Sequence, residues 1–507
     1  MALLRPLPAS PLLTRSPAHR LGPSLLALAG GAVWALCFAR QPLNVVSWVA
    51  LVPLLLVLGH PRAWLLGLLH GMAFWLVSVP WIAPTLETYG QLPPWLAALA
   101  VVGVGVYQGS YTALFAVLAK PVWQRGGALA LLGPPALWVA VDWLRAHFLG
   151  GFPWNLAANA WVDLPGALPL AAWIGCYGVS FLLLFANNGV ARAVAVRRWQ
   201  PAALTVGSVI VVLALGVWSS AAIVPGRDAD TVTVRVLQPN IQNLVEWDRE
   251  QVENNYRRLL ELSEQACDAP GVLVVWPESA AWPYSWGRDA GLRADVGRLA
   301  RKGCSVLLNS VLESAEGPTN SALLVSSSAG EERYDKRRLV PFGEFVPMAE
   351  WLPFLSSLAR NAGDFTAGRS PALLSWQKQE VGTAICFEII FARGVAEQVR
   401  HGATLLVTIT NDAWYGDTWA PWQHYRAARF RAAENRRTVL RAAITGVSAI
   451  IGPDGSVQQQ LGVGEEGLLE AQVVGRSDLT LFTRAPWLVP LLCCLVGGFA
   501  IFVGRRR

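Results

Sequence analysis

The chain has 507 residues, of which 53% are hydrophobic and 15% charged, with a formal net charge of +7. So apolar a composition excludes a single soluble domain, and the basic excess sits mostly in loops between apolar stretches, which argues against a nucleic-acid partner. The seven cysteines show no CxxC or Cys/His spacing, so neither a metal nor a cofactor is expected.

Residues 1–20 form a Pro-rich tail, read as cytoplasmic. Eight apolar stretches then have the length of membrane spans, roughly 17–25 residues each. They are about 21–40, 43–59, 63–83, 94–119, 127–147, 168–191, 202–224 and 485–504. The first reads as a signal-anchor because six more spans follow it before residue 227. With the N-terminus cytoplasmic, that side receives Arg5, Arg15, Arg20, Arg62, Lys120, Arg125, Arg192, Arg197, Arg198 and Arg505 to Arg507. The opposite short loops receive only Arg40 and Arg145. The positive-inside rule therefore places residues 227–484 outside the cytoplasm and both termini inside. Many of the 24 tryptophans lie near span ends, where amphipathic rings anchor at the interface.

The outer segment 227–484 reads as mixed α/β. Val232 to Leu237 alternates as a strand, 249–266 is helical, and Gly271 to Trp276 is a buried strand. A helix near 288–301 precedes a strand from Cys304 to Val311, and Ser321 to Ser326 with Glu332 to Val340 forms a strand pair. Glu380 to Ile385 and Thr404 to Ile409 are buried strands flanking a helix near 392–401. A long Arg-rich helix over 421–440 leads into a strand from Arg441 to Ile451, closed by the turn Gly452-Pro453-Asp454-Gly455. Strands with interposed helices point to layered sheets covered by helices. Cys267, Cys304 and Cys386 share this domain; Cys267 with Cys304 is the pairing that spares Cys386, and the sequence leaves open whether it forms.

Three residues at or near strand ends carry covalent acyl chemistry. Cys386 is the candidate nucleophile, which needs a base or a positive charge nearby. Glu278 follows Trp276-Pro277, where a shielding Trp and a strand-ending Pro suit a desolvated general base. Lys336 is notable because the chain has only four lysines against 37 arginines. A Lys beside Arg337 and Arg338 implies that a compact ammonium is needed, to favour thiolate and hold an oxyanion. Glu344 and Glu388 are supporting acids, and Asn411-Asp412-Ala413-Trp414-Tyr415-Gly416 reads equally as substrate contact or turn chemistry.

Trp276-Pro277-Glu278, the run from Tyr334 through Lys336 to Pro341-Phe342-Gly343-Glu344, and Ile385-Cys386-Phe387-Glu388 together resemble the nitrilase (carbon–nitrogen hydrolase) superfamily. The apolar spans, with Asp142-Trp143-Leu144-Arg145, Gly151-Phe152-Pro153-Trp154 and Gly446-Val447-Ser448-Ala449, narrow the resemblance to the bacterial apolipoprotein N-acyltransferase family. The resemblance implies a polytopic α-helical membrane protein carrying an extracytoplasmic nitrilase-like αββα sandwich. It divides the chain into a cytoplasmic tail (1–20), a seven-span domain (21–224), a periplasmic catalytic domain (227–484) and a C-terminal span (485–504) in the bacterial inner membrane.

The implied reaction moves an acyl chain from a membrane phospholipid, typically phosphatidylethanolamine, through a thioester on Cys386 to the N-terminal amine of an S-diacylglyceryl-cysteine apolipoprotein. The enzyme is expected to act as a monomer. Glu278 would be the base, and Lys336 with the backbone N–H of Phe387 would stabilise the oxyanion. Trp247 matches a tryptophan on a mobile arm near the entrance, and Asn411, Trp414 and Tyr415 would contact substrate. Two positions depart from the family pattern: Phe387 stands where Tyr is common, and Asp142 where Glu is more usual. A small-amide hydrolase would use the same three residues, and the spans favour the transferase over it. A transporter or receptor would need ionisable residues in several spans, whereas the spans are nearly free of charge except for Asp142 and Arg145 near one end.

Overall fold

The computed structural model describes residues 17–220, 231–242, 248–327, 330–346 and 364–506. The chain divides into two compact units. One comprises Met1–Ala83, Pro94–Ala222 and Ala485–Arg507; the other comprises Pro84–Pro93 and Ile223–Arg484.

The first unit is helical. In chain order it contains α1 (Pro17–Leu36), α2 (Val52–Val57) and α3 (Ala63–Ser78); α4 (Ile82–Thr88) lies at the boundary. Then come α5 (Pro94–Arg125), α6 (Gly127–Arg145), α7 (Ala167–Val196), α8 (Gln200–Ser220) and a helix at Leu488–Arg505. Among the described residues, α5 to α8 and Leu488–Arg505 are long and apolar enough to cross a membrane, five in all. A sixth arises if α3 and α4, bent by 54°, count as one span. Eight were expected from the sequence, and the clearest difference is 43–59. That stretch is a 3-10 turn (Val46–Trp48) followed by the six residues of α2, with Pro53 in its first turn.

Irregular backbone in an apolar bundle needs polar side chains to satisfy it. Asn187 supplies them here: its Nδ2 donates to the Ser47 carbonyl at 2.9 Å, and its Oδ1 accepts from the Leu51 N–H at 3.0 Å. The same device repairs α6. Pro134 and Pro135 lack the N–H groups that would reach the carbonyls of Ala130 and Leu131 four residues earlier. The Nδ2 of Asn188 donates to both carbonyls at 2.9 Å. Close helix packing comes from small residues: a Cβ on Gly71 of α3 would lie 2.7 Å from the Cα of Gly109 in α5.

The second unit holds two six-stranded sheets. The first has the order β12-β1-β2-β3-β4-β5, with β1 (Thr231–Gln238), β2 (Leu273–Val275), β3 (Ser305–Ser314), β4 (Gly317–Ser326), β5 (Gly330–Asp335) and β12 (Gly467–Val474). The second has the order β11-β10-β9-β8-β7-β6, with β6 (Leu374–Trp376), β7 (Gln379–Ile385), β8 (Leu405–Thr410), β9 (Val439–Ala443), β10 (Ser448–Ile451) and β11 (Val457–Leu461). Strands β1, β2 and β3 pair in parallel, as do β7, β8 and β9.

Side chains alternate across each strand, so each sheet has two distinct faces. Leu273 and Val275 join Val234, Val236 and Leu307 in a core shared with Val381, Ile385, Val407 and Ile409 of the second sheet. Val272, Val274 and Trp276 point the other way, into a core with Leu259 and Leu262 of α9 (Arg249–Gln265) and Val296 and Leu299 of α10 (Ala290–Arg301). Helices α11 (Ala392–Arg400) and α12 (Ala420–Asn435) follow strands β7 and β8. The helix expected over 421–440 stops at Asn435 because Arg436 turns left-handed, with φ 50°. The strand expected over 441–451 is two antiparallel strands, β9 and β10, and the strand expected to reach Val340 ends at Asp335. Cys267 and Cys304 form a disulfide with their Cα atoms 5.9 Å apart.

Candidate active site

Glu278 lies just beyond β2, Lys336 just beyond β5, Cys386 just beyond β7 and Asn411 just beyond β8. The strand directions therefore gather four chain segments at one end of the sandwich, although they are far apart in sequence. In layered α/β folds, strand C-terminal ends are where ligand sites form.

Glu278, Lys336 and Glu344 make one buried ionic cluster. The Lys336 ammonium, 1% exposed, donates to Glu344 Oε1 at 2.8 Å and lies 3.5 Å from Glu278 Oε1. Asn320 bridges the two carboxylates: its Nδ2 donates to Glu278 Oε1 and to Glu344 Oε1, both at 2.9 Å. The second oxygen of Glu278 accepts from the backbone N–H of Asn411 at 2.9 Å, and that of Glu344 from the N–H of Val340 at 2.8 Å. Burial by itself would lower the Lys336 pKa, but the Glu344 and Glu278 carboxylates more than reverse this and raise it. Lys336 is thus a permanent cation in an anionic cradle.

Cys386 opens a 3-10 turn, Cys386–Ile390, and its own backbone is left-handed at φ 51°. Ser279, directly after Glu278, is also left-handed at φ 60°. Such conformations are costly for residues with a Cβ and persist only where surrounding contacts hold them. Glu388 supplies part of that hold. Its Oε1 accepts from the N–H groups of Arg337 (2.8 Å) and Arg338 (3.1 Å) and from the Tyr334 hydroxyl (2.9 Å), and its Oε2 accepts from the Ile385 N–H (2.9 Å). One carboxylate therefore ties the Cys386 turn to the segment carrying Lys336. Burial raises the Glu388 pKa, against the opposing effect of these N–H donors.

The sequence suggests that Lys336 favours a resting thiolate. In the folded site the balance differs: burial, followed by the charge of Glu278, pushes the Cys386 thiol up, and Lys336 only partly opposes them. The ammonium is already matched by two carboxylates, so little of its field is left for sulfur. The net effect favours the protonated form of the Cys386 thiol.

The structure gives the remaining candidates different standings. Phe387 is buried, its ring 5.1 Å from that of Phe391 in an edge contact. The Asn411 side chain accepts from the Ala413 N–H at 3.3 Å, which is turn chemistry, while its backbone N–H holds Glu278. Trp414 is 42% exposed and packs edge-on against Tyr89, with ring centres 4.3 Å apart. Tyr415 is half-buried, and burial, then the neighbouring Cys386 and Asp412, raise its pKa. Trp247 lies outside the described residues.

Two sets of residues escaped the sequence reading. Asn320 was legible by parity, because it shares a face of β4 with the core residues Ala322 and Leu324, and a polar residue there must point between the sheets. His424 and Arg441, which join Asp412 of the 411–416 run in one cluster, gave no linear signal, since they come from α12 and β9 while Asp412 lies in the turn after β8.

Residues 30–189 match the family model for the apolipoprotein N-acyltransferase N-terminal domain, and residues 233–478 match that for carbon-nitrogen hydrolases. The chain is 37% identical over 470 residues to the apolipoprotein N-acyltransferase of Geobacter metallireducens, covering 89% of each protein. It is 34% identical to that of Ralstonia nicotianae, over 90% of this chain and 88% of the relative. The corresponding Vibrio cholerae protein is 30% identical over 508 residues, with 96% and 98% covered. Among solved structures, Saccharomyces cerevisiae Nit3 of the nitrilase superfamily is similar at 16% identity and TM-score 0.38, over 52% of this chain and 96% of that one. Since residues 30–189 and 233–478 match these family models and relatives of 30–37% identity align over about nine-tenths or more of this chain, the chain belongs to the apolipoprotein N-acyltransferase family and is an acyltransferase with a nitrilase-like catalytic domain.

Proposed function

We propose that this enzyme takes an acyl chain from a membrane phospholipid onto Cys386 and passes it to the N-terminal amine of an S-diacylglyceryl-cysteine apolipoprotein. The observation that carries the assignment of residues is the Asn320-bridged cluster of Glu278, Lys336 and Glu344 at the strand end beside the left-handed Cys386. Glu278 takes the thiol proton as sulfur attacks the ester carbonyl. Negative charge develops on the carbonyl oxygen, where Lys336 and the Phe387 N–H are the stabilising donors. Collapse breaks the ester bond, and the lysophospholipid alkoxide leaves with the proton held by Glu278. In the second half the acceptor amine attacks the thioester, Glu278 accepts its proton, and the sulfur leaves and is reprotonated. Glu344 fixes Lys336, and Glu388 fixes the turn that carries Cys386. Tyr415 and Trp414 contact substrate at the rim. One covalent intermediate shared by two substrates gives ping-pong kinetics.

The same reading places the second unit on the periplasmic side of the inner membrane, with both termini cytoplasmic and up to eight spans. Twelve basic residues on one side against two on the other support that orientation. The Cys267–Cys304 disulfide fits an oxidising compartment. One copy of the chain supplies every residue of the cluster, in keeping with action as a monomer. The test is acyl trapping: purified enzyme is mixed with phosphatidylethanolamine carrying a labelled acyl chain, with Cys386→Ala alongside. A hydroxylamine-labile label on the wild type and none on the variant is expected. Intact lipid with no label on either protein would remove the phospholipid donor from the scheme.

A further inference from the structure

Beneath the nucleophile lies a second polar cluster to which no role has yet been given. His424 of α12 is 1% exposed and its Nε2 lies 3.0 Å from the carbonyl oxygen of Cys386. Its Nδ1 lies 3.3 Å from Asp412 Oδ1 and 3.3 Å from an Arg441 terminal nitrogen. Arg441, fully buried in β9, donates to Asp412 Oδ2 at 2.7 Å and to the Val447 carbonyl at 2.9 Å. Thr410 donates to Asp412 Oδ1 at 2.8 Å. The cluster is closely fitted: a Cβ on Gly446 would lie 2.2 Å from Asp412 Oδ2, so only glycine allows the carboxylate its place.

We propose that His424 is a positioning residue for the nucleophile, acting through the peptide that joins Cys386 to Phe387. The inference rests on Cys386 being the acylated residue. A carbonyl oxygen only accepts, so the Nε2 that faces it must carry the proton. Nδ1 lies between the Arg441 N–H, which suits a lone pair there, and Asp412 Oδ1, which suits a proton, so the Nε2 proton toward the Cys386 carbonyl is kept in either state of Nδ1. Burial, then the Arg441 charge, lower the His424 pKa against the opposing effect of Asp412. Because Nε2 meets the carbonyl of Cys386, His424 is not arranged as the base that activates the thiol.

The geometric consequence follows from the planar peptide. In a trans peptide the C=O and the following N–H point in opposite directions. Pinning the Cys386 carbonyl to His424 therefore fixes the Phe387 N–H to point away from His424. That N–H is the proposed backbone donor to the oxyanion, and Cys386 reaches the required orientation only with its left-handed φ of 51°. Asp412 and Arg441 hold the imidazole, and the imidazole holds the peptide plane.

The experiment uses full-length enzyme in detergent and compares His424→Leu with His424→Gln, since a Gln side-chain amide can donate to the same carbonyl. Single-turnover thioester formation from labelled phosphatidylethanolamine gives the acylation rate, and lipid titration gives KM. For His424→Leu the expected result is a loss of about 10²-fold in the acylation rate with KM little changed, the scale of a misplaced reacting group. His424→Gln is expected to recover most of that loss. Wild-type-like acylation by His424→Leu, or equal slowing in both variants, overturns the inference. If His424→Leu does not fold, His424→Asn takes its place, its amide being too short to reach the carbonyl, and the same comparison with Gln decides. Absence of any thioester on wild-type Cys386 would overturn the nucleophile assignment and this inference together. A wild-type thioester with unchanged variants removes only the role of His424.

Discussion

Replacing Lys336 separates charge from shape in the ionic cluster. The ammonium lies 2.8 Å from Glu344 Oε1 and 3.5 Å from Glu278 Oε1. At an effective dielectric near 20, such pairs attract by about 6 and about 5 kcal/mol before desolvation. Desolvation offsets much of this, and removing one partner of a buried pair is expected to cost about 3–5 kcal/mol. Lys336→Met leaves two carboxylates on one Asn320 amide with no counter-charge, so it should lose that stability and its thioester chemistry together. Lys336→Arg keeps the charge, and its overpacking cost is about 1–3 kcal/mol. Its planar fork cannot occupy a 1% exposed point between two carboxylates and still face the oxyanion. The expected loss in acylation rate is about 10²–10³-fold. Thermal midpoints in detergent and single-turnover acylation measure the two effects. An Arg variant with wild-type acylation, or a Met variant with an unchanged midpoint, would refute the reasoning.

Because burial and Glu278 raise the Cys386 pKa, thiolate forms only above the ordinary thiol range, and alkylation by iodoacetamide should be slow at pH 7 and still rising at pH 9. A rate that levels off below pH 8 would contradict a resting thiol. Asn320→Ala removes both bridging bonds to Glu278 and Glu344, each charge-assisted and worth about 1.5–3 kcal/mol. It should lower kcat more than it raises KM, as steady-state kinetics with varied phospholipid would check. Cys267→Ser with Cys304→Ser opens a loop closed across 37 residues, a change of about 4 kcal/mol in the chain-entropy account. Urea titration of the double variant should show that loss, with acylation in native buffer retained.

The amino-acid sequence by itself determined which residues are candidates for chemistry and which stretches are apolar enough for a membrane. Strand runs ending in Glu278 and Cys386 were visible because apolar alternation is local, and Lys336 stood out because the chain otherwise uses Arg. Spans were legible as lengths of apolar chain, yet the break in regular helix within 43–59 was not, because Asn187 satisfies its irregular backbone from more than a hundred residues away. Only the tertiary structure decided how the charges balance. A Lys near a Cys suggests a thiolate until Glu278 and Glu344, bridged by Asn320, are seen to claim the ammonium first. His424 and Arg441 likewise have no linear signature, since a helix and a strand bring them to Asp412 under Cys386. Periodicity reports which side of one element a residue faces. It does not report which residues from other elements meet it there, and pKa, strain and donor direction are set by those neighbours.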